Sequence, residues 1–274
     1  MKALRKMVTG VMVMGLAVGH AAGGEGKKIV VDGSTTVGPI AKAFAEHYMG
    51  LQADVNITVS ESGSGNGAKS LINAACDVAT MSRPMKPSEE KAARDAGVLP
   101  IEHIVAMDGI AVIVHPSNPV AALTLEQIRA IYTGRIRNWK ELGGPDQPIV
   151  AISRDTNSGT YESFEALVMN KEKMGPKVEY VGSNGAARQR VMSTPAAIGY
   201  VGLAFTEAVK PLAVNGVAAT QETVRTRKYP IARPLYMYTN GRPKPGSPLH
   251  DFISLCNTQV GKQIVADLGF VPVN

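Results

Sequence analysis

Three segments of this chain place Ser, Thr and Gly between a β-like stretch and a helix-like stretch. The first runs Ile29-Val30-Val31, then Gly33-Ser34-Thr35-Thr36, then a helical pattern from about Gly38. The second runs Val55-Asn56-Ile57-Thr58-Val59, then Ser62-Gly63-Ser64-Gly65, then a helical pattern from about Asn66. The third runs Ile149-Val150-Ala151-Ile152, passes Arg154, and reaches Ser158-Gly159-Thr160 before a helical pattern from about Tyr161. The first N–H groups of a helix lack intrahelical partners and carry partial positive charge, which attracts anions. Glycine lets the backbone come close to a ligand. The planar guanidinium of Arg154 can grip two oxygens of a tetrahedral anion, or it can pair with Asp155. A single turn of this kind reads as an ordinary N-cap. Three of them beside one arginine read as a cage for a small oxyanion.

Other chemistries find less support. Gly63-Ser64-Gly65-Asn66-Gly67-Ala68-Lys69-Ser70 approaches a P-loop and a GxGxxA dinucleotide form, but no carboxylate partner for Mg²⁺ is evident. No GxSxG elbow or other nucleophile motif stands out, so no catalytic residue is assigned. Metal-ligand spacing is absent and no cofactor is expected. Aromatic residues make up 5% of the chain, which argues against stacking on bases or sugars. The cluster Arg225-Thr226-Arg227-Lys228 reads as a solvated loop, and no nucleic-acid partner is expected.

The elements that must position the cage can be read from periodicity. Ile40, Phe44 and Tyr48 recur at helical spacing, as do Ala68, Leu71, Ile72 and Ala75, and again Tyr161, Phe164, Leu167 and Val168. Ile110-Ala111-Val112-Ile113-Val114 reads as a strand, and Thr124-Leu125-Glu126-Gln127 has the capping-box form. Helices are expected near residues 249–257 and 260–268, the latter ended by Gly269. Strands alternating with helices predict an α/β protein with largely parallel sheets, whose ligands sit beyond the carboxyl ends of the strands. All three turns hold that position.

A chain of 274 residues with 45% hydrophobic and 19% charged content is globular and large enough for two domains. Residues 1–22 read as a secretory signal: Lys2, Arg5 and Lys6 precede an apolar run over residues 7–18 and the small residues Gly19, Ala21 and Ala22. Cleavage there brings the formal charge from +6 to +3 by removing those three cations. No Cys lies near the cleavage site, so a lipid anchor is not expected. Cys76 and Cys256 are the only cysteines. Outside the cytoplasm they could pair, or both could stand as buried thiols, the reading slightly favoured here.

With these motifs in hand, the chain resembles the periplasmic phosphate-binding proteins of phosphate-specific ABC transporters, over about residues 28–272. The resemblance rests on Asp32-Gly33-Ser34-Thr35-Thr36, Ser62-Gly63-Ser64-Gly65, Thr133-Gly134-Arg135-Ile136-Arg137-Asn138-Trp139, Arg154-Asp155-Thr156-Asn157-Ser158-Gly159-Thr160 and Ala197-Ile198-Gly199-Tyr200-Val201. It implies an α/β, two-lobed, Venus-flytrap fold of the type 2 periplasmic class, each lobe a mixed sheet flanked by helices. Lobe 1 would take residues 26–107 and 233–274, lobe 2 residues 108–232, with hinges near residues 106–109 and 231–234. It also implies a monomer of the periplasm that binds inorganic phosphate and delivers it to an inner-membrane ABC permease. The implied ligand residues are Thr35, Thr36, Ser64, Ser82, Arg154, Ser158, Gly159 and Thr160, and Arg83 would join them if it points inward. Ser82 stands where well-known members carry an Asp that accepts the proton of hydrogen phosphate. That departure leaves sulfate or another tetrahedral oxyanion as an alternative cargo, with a periplasmic phosphoester hydrolase or a transporter-free anion sensor as further alternatives.

Overall fold

The computed structural model describes residues 27–273. The sequence-predicted signal segment lies outside the described residues. In chain order the elements are β1 (Lys27–Gly33), α1 (Gly38–Leu51), β2 (Val55–Ser60), α2 (Ser64–Ile72), β3 (Val78–Met81), α3 (Pro87–Asp95), β4 (Pro100–Val114), β5 (Ala122–Leu123) and α4 (Leu125–Thr133). Next come β6 (Val150–Arg154), α5 (Gly159–Phe164), β7 (Glu179–Val181), α6 (Asn184–Met192), β8 (Ala197–Gly202), β9 (Lys210–Pro211), β10 (Ala213–Val214) and α7 (Gln221–Arg225). The chain closes with β11 (Ala232–Asn240), α8 (Pro248–Ser254) and α9 (Gln259–Asp267).

The main sheet runs β2-β1-β3-β11-β4-β8-β6-β7, with β9 also on β4. At one end β2, β1 and β3 are parallel, and at the other β8, β6 and β7 are parallel. Between them β11 and β4 run antiparallel to their neighbours. The sheet is therefore mixed, more so than the alternation of elements suggested. β4 is longer than the 110–114 run legible in the sequence. Its first part pairs with β11, and its last five residues, Ile110 to Val114, pair with β8. The pairing of β4 with β11 shifts register between Leu235 and Tyr236.

Helices cover both faces, as a sheet buried on two sides requires. On the β1–β3 half, α1 packs Ile40, Phe44 and Tyr48 into a core shared with Phe252 and Val265 of α8 and α9. The opposite face buries Leu71 of α2 and Ala93 of α3 against Met81, Tyr236 and Tyr238. On the other half, Tyr132, Trp139, Phe164 and Tyr200 form the centre of a larger core, with Phe164 and Tyr200 stacked at 3.9 Å between ring centroids. The expected capping box holds α4: Gln127 N donates to Thr124 Oγ1 at 3.1 Å and Thr124 N donates to Gln127 Oε1 at 2.8 Å. α2 and α5 each begin two residues earlier than the periodicity indicated, at Ser64 and Gly159, inside the turns themselves.

Cys76 and Cys256 are free and buried, in separate core clusters. Burial pushes the Cys76 thiol up to about 12, which keeps it protonated and inert. No helix among the described residues is long and apolar enough to cross a membrane.

Candidate functional site

The three Ser/Thr/Gly turns meet. Ser34, Thr35 and Thr36 follow the carboxyl end of β1, and Gly63 and Ser64 follow β2. Ser82 follows β3, Arg154 ends β6, and Ser158, Gly159 and Thr160 cap and open α5. Together these residues line one small, tightly closed cavity. Among the described residues no carboxylate and no aromatic ring lines it.

Glycine is required at two points of this wall. Gly63 has φ +101°, a conformation that disfavours any side chain, and a Cβ there would sit 3.0 Å from Asn157 O. A Cβ on Gly159 would stand 2.5 Å from Ser64 Oγ and 2.7 Å from Ser82 Oγ. The turn after β6 can therefore approach the turns after β2 and β3 only without that carbon. Across the same gap Gly65 N donates to Asn157 O at 3.0 Å, and Thr36 Oγ1 lies 3.0 Å from Thr160 Oγ1.

Arg154 is 1% exposed and held from behind. Its backbone N–H donates to Tyr200 Oη at 3.2 Å, its Nε to Val181 O at 3.3 Å, and its Nη2 to Gly182 O at 2.9 Å and Thr35 Oγ1 at 3.2 Å. Nη1 is buried with no hydrogen-bond partner. Its hydrogen-bond partners are all neutral, and burial pulls its pKa down to about 10 against smaller opposing pulls from Tyr200 and Asp155. It stays protonated at neutral pH as an uncompensated buried cation, an expensive arrangement that an anion would relieve. The alternative pairing with Asp155 does not form: Asp155 Oδ1 accepts from Asn157 N at 2.9 Å instead.

Arg83 requires a correction. Its guanidinium does not line the cavity. Nη1 and Nη2 donate to the two carboxylate oxygens of Glu89 at 2.6 and 2.7 Å, and Nε lies 2.8 Å from Glu162 Oε2. Burial lowers its pKa, but hydrogen bonds and charge from Glu89 and Glu162 outweigh that and hold it raised. Two carboxylates already satisfy the cation, and the Glu162 contact ties the loop after β3 to α5.

Four functional candidates went unrecognised in the sequence. Ser34 and Gly63 sit inside motifs already noted. Asn184 opens α6 and donates through Nδ2 to Thr35 Oγ1 at 3.2 Å and Thr36 Oγ1 at 2.9 Å. Arg233, 4% exposed, sends Nη1 to Ser82 O at 2.9 Å and Gly159 O at 3.1 Å, and Nη2 to Thr160 Oγ1 at 2.9 Å. Its counter-charge is the fully buried Asp108 at 3.1 Å, opposite it in the β4–β11 register. A lone Asp and a lone Arg in apolar strands were the available signal, since buried charges need partners. Their pairing across 125 positions of sequence was not readable.

A mixed sheet bent around a small polar pocket at the facing ends of its parallel strands is the type 2 periplasmic binding fold. A family model for the PBP superfamily domain matches residues 18–254. The chain is 33% identical over 267 residues to the phosphate-binding protein PstS of Staphylococcus saprophyticus, covering 92% of this chain and 83% of that protein. It is 32% identical to PstS of Borreliella burgdorferi, covering 91% of each. A solved substrate-binding protein from Clostridium perfringens, assigned to a phosphate ABC transporter and holding bound phosphate, superposes with TM-score 0.85 at 34% identity, covering 90% of this chain and all of that one. The chain belongs to the PBP superfamily and, within it, to the phosphate-binding proteins of ABC transporters.

Proposed function

We propose that this protein captures inorganic phosphate in the cavity and delivers it to an ABC permease, and that it is exported to do so. The observation that carries the reading is the convergence on one small space of hydroxyls, helix-opening N–H groups and a buried guanidinium with an unpartnered Nη1. Hydrogen phosphate loses its hydration on entry, and charge-assisted hydrogen bonds replace it. Thr35, Thr36, Ser64 and Ser82 serve the anion from the β1–β3 side, and Arg154, Ser158, Gly159 and Thr160 from the β6 side. Residues 26–107 and 233–274 then form one lobe and 108–232 the other, joined where β4 and β11 cross. A guest gripped from both sides favours the closed arrangement, and a permease can read that closure. The names of the relatives support transport over catalysis, and no nucleophile–base pair lines the cavity among the described residues.

Isothermal titration calorimetry of the purified mature protein tests this reading. Tight one-to-one uptake of phosphate is expected, with no turnover of p-nitrophenyl phosphate. Sulfate binding as tight as phosphate would overturn the phosphate assignment, and release of p-nitrophenol would overturn the non-enzymatic one.

A further inference from the structure

Arg83, Lys86, Glu89 and Glu162 form a charged cluster outside the cavity wall. Its members come from opposite sides of the site. Arg83 and Lys86 lie in the loop after β3, and Glu89 lies in the first turn of α3. Glu162 stands in the first turn of α5, two positions after Thr160, and its N–H donates to Ser158 O at 3.1 Å. A pull on Glu162 is therefore a pull on the turn that carries Ser158, Gly159 and Thr160.

The cluster meets across the gap in a set order. The Glu89 carboxylate takes both Nη atoms of Arg83, which fixes the guanidinium from its own side and leaves Nε for α5. Arg83 Nε and Lys86 Nζ converge on one oxygen, Glu162 Oε2, at 2.8 and 2.9 Å. Beside them Ser163 Oγ donates to Ser82 O at 3.2 Å. The Arg83 and Glu162 side chains are 5% and 14% exposed, so salt screens that pair weakly. Apart from Asp108–Arg233, where β4 and β11 cross, these two are the ion pairs among the described residues that join residues 26–107 and 233–274 to residues 108–232. With the sides together, two cations meet two carboxylates and the cluster is neutral. With the sides apart, Glu162 would keep an unpaired negative charge close to the anion turn, and the loop after β3 an excess positive one.

We infer that Glu162 is a positioning residue, whose ion pairs with Arg83 and Lys86 latch α5 onto the loop after β3 and slow release of the bound anion. The inference rests on the phosphate reading and the two-lobe arrangement proposed above and deepens both. Opposite charges that meet only on closure favour the closed form over the open one, and the anion leaves only after they part.

The test follows release of radiolabelled phosphate into excess unlabelled phosphate, with Kd from calorimetry. It compares the unaltered mature protein, Glu162→Gln, Lys86→Ala and the double variant, each checked for a cooperative melt. Arg83 keeps Glu89 in all of them. The pair lies between the exposed and the buried limits, so Glu162→Gln should quicken release about ten-fold. The association rate, taken as release rate over Kd, should stay within about three-fold. Lys86→Ala should quicken release about three-fold alone and no further on top of Glu162→Gln. Unchanged release in Glu162→Gln, or an affinity loss that comes wholly from slower association, would overturn the latch. So would a Lys86→Ala effect of equal size in both backgrounds. Should Glu162→Gln fail to fold, unchanged release in Lys86→Ala, at a half-exposed side chain, decides against it. Hydrogen exchange of the ligand-free proteins keeps the latch separate from the phosphate reading. If the unaltered protein takes up no phosphate, that reading is refuted and exchange alone judges the latch. Faster exchange in Glu162→Gln over both residues 82–86 and 158–164 supports it, and unchanged exchange over residues 82–86 refutes it.

Discussion

Arg154 concentrates the chemistry of the site at the residue scale. Its buried charge has only neutral hydrogen-bond partners, so the anion is its proposed counter-ion. Truncating one side of a buried, hydrogen-bonded charge pair costs about 2–5 kcal/mol. Arg154→Met should therefore weaken phosphate by at least about 30-fold in calorimetry, and Arg154→Lys should recover only part, because a point charge cannot reproduce the planar fork. Unchanged affinity in Arg154→Met would remove the guanidinium from the site. Gly159 makes a different demand, for space. Its φ is compatible with alanine, but the added carbon meets Ser64 Oγ and Ser82 Oγ. Gly159→Ala should weaken phosphate about ten-fold or more by the usual cost of overpacking. Its ligand-free melting temperature should move by under about 3 °C. A full-affinity Gly159→Ala would show that the turns do not close on each other.

At the scale of elements, two carboxylates organise the strands that carry the turns. Asp32, at the end of β1, receives Ser60, Ser62 and Ser70 hydroxyls at 2.8, 2.7 and 2.6 Å, tying β2 and α2 to β1. Burial alone would raise its pKa, but these hydrogen bonds and Gly33 N–H together hold it below the ordinary 3.8. A depressed native pKa adds stability above the unfolded value, and that stability disappears as pH falls through the native value. Asp32→Asn should melt below the unaltered protein at neutral pH, and the gap should close below about pH 4. A gap independent of pH would assign the loss to packing. Asp108 plays the second role, between β4 and β11. Burial raises its pKa against the pull of Arg233, and burial lowers that of Arg233 against the pull of Asp108. Removing one partner strands the other, so Arg233→Met should cost about 3–5 kcal/mol in urea unfolding, and Arg233→Met with Asp108→Leu should recover much of it. A double variant as unstable as the single one would exclude the pair as the cause.

Across the whole molecule, the sheet carries two sets of strand ends that face one cavity. Contacts already span that gap, from the Thr36–Thr160 hydroxyls to the Arg83–Glu162 ion pair. A guest that bridges both sides stabilises their approach, and at a hundred times Kd it adds about 2.7 kcal/mol to stability. For a chain of this size that is a rise in Tm of roughly 5–10 °C. Phosphate should produce that rise together with a smaller radius of gyration in small-angle scattering. A rise in Tm without compaction would mean binding to one side only.

The turns were legible from the order of residues because their physics is local. A strand, a hydroxyl and glycine cluster, and a helix start lie within a dozen positions, and the 3.6-residue period of apolar side chains marks the helix beyond each turn. Ser64, Arg154 and Ser158-Gly159-Thr160 could be read that way, and so could the core face of α1. Arg83 was ambiguous beside Ser82, because its direction depends on Glu89 and Glu162, the latter 79 positions away. Asn184 and Arg233 were invisible for the same reason, since each reaches its partners across more than 70 positions. The amino-acid order by itself determined which donors exist and which local turn presents each one. Only the tertiary structure decided which of them share a wall and which way each hydroxyl points, because a hydrogen-bond network takes its direction from the groups that folding brings together.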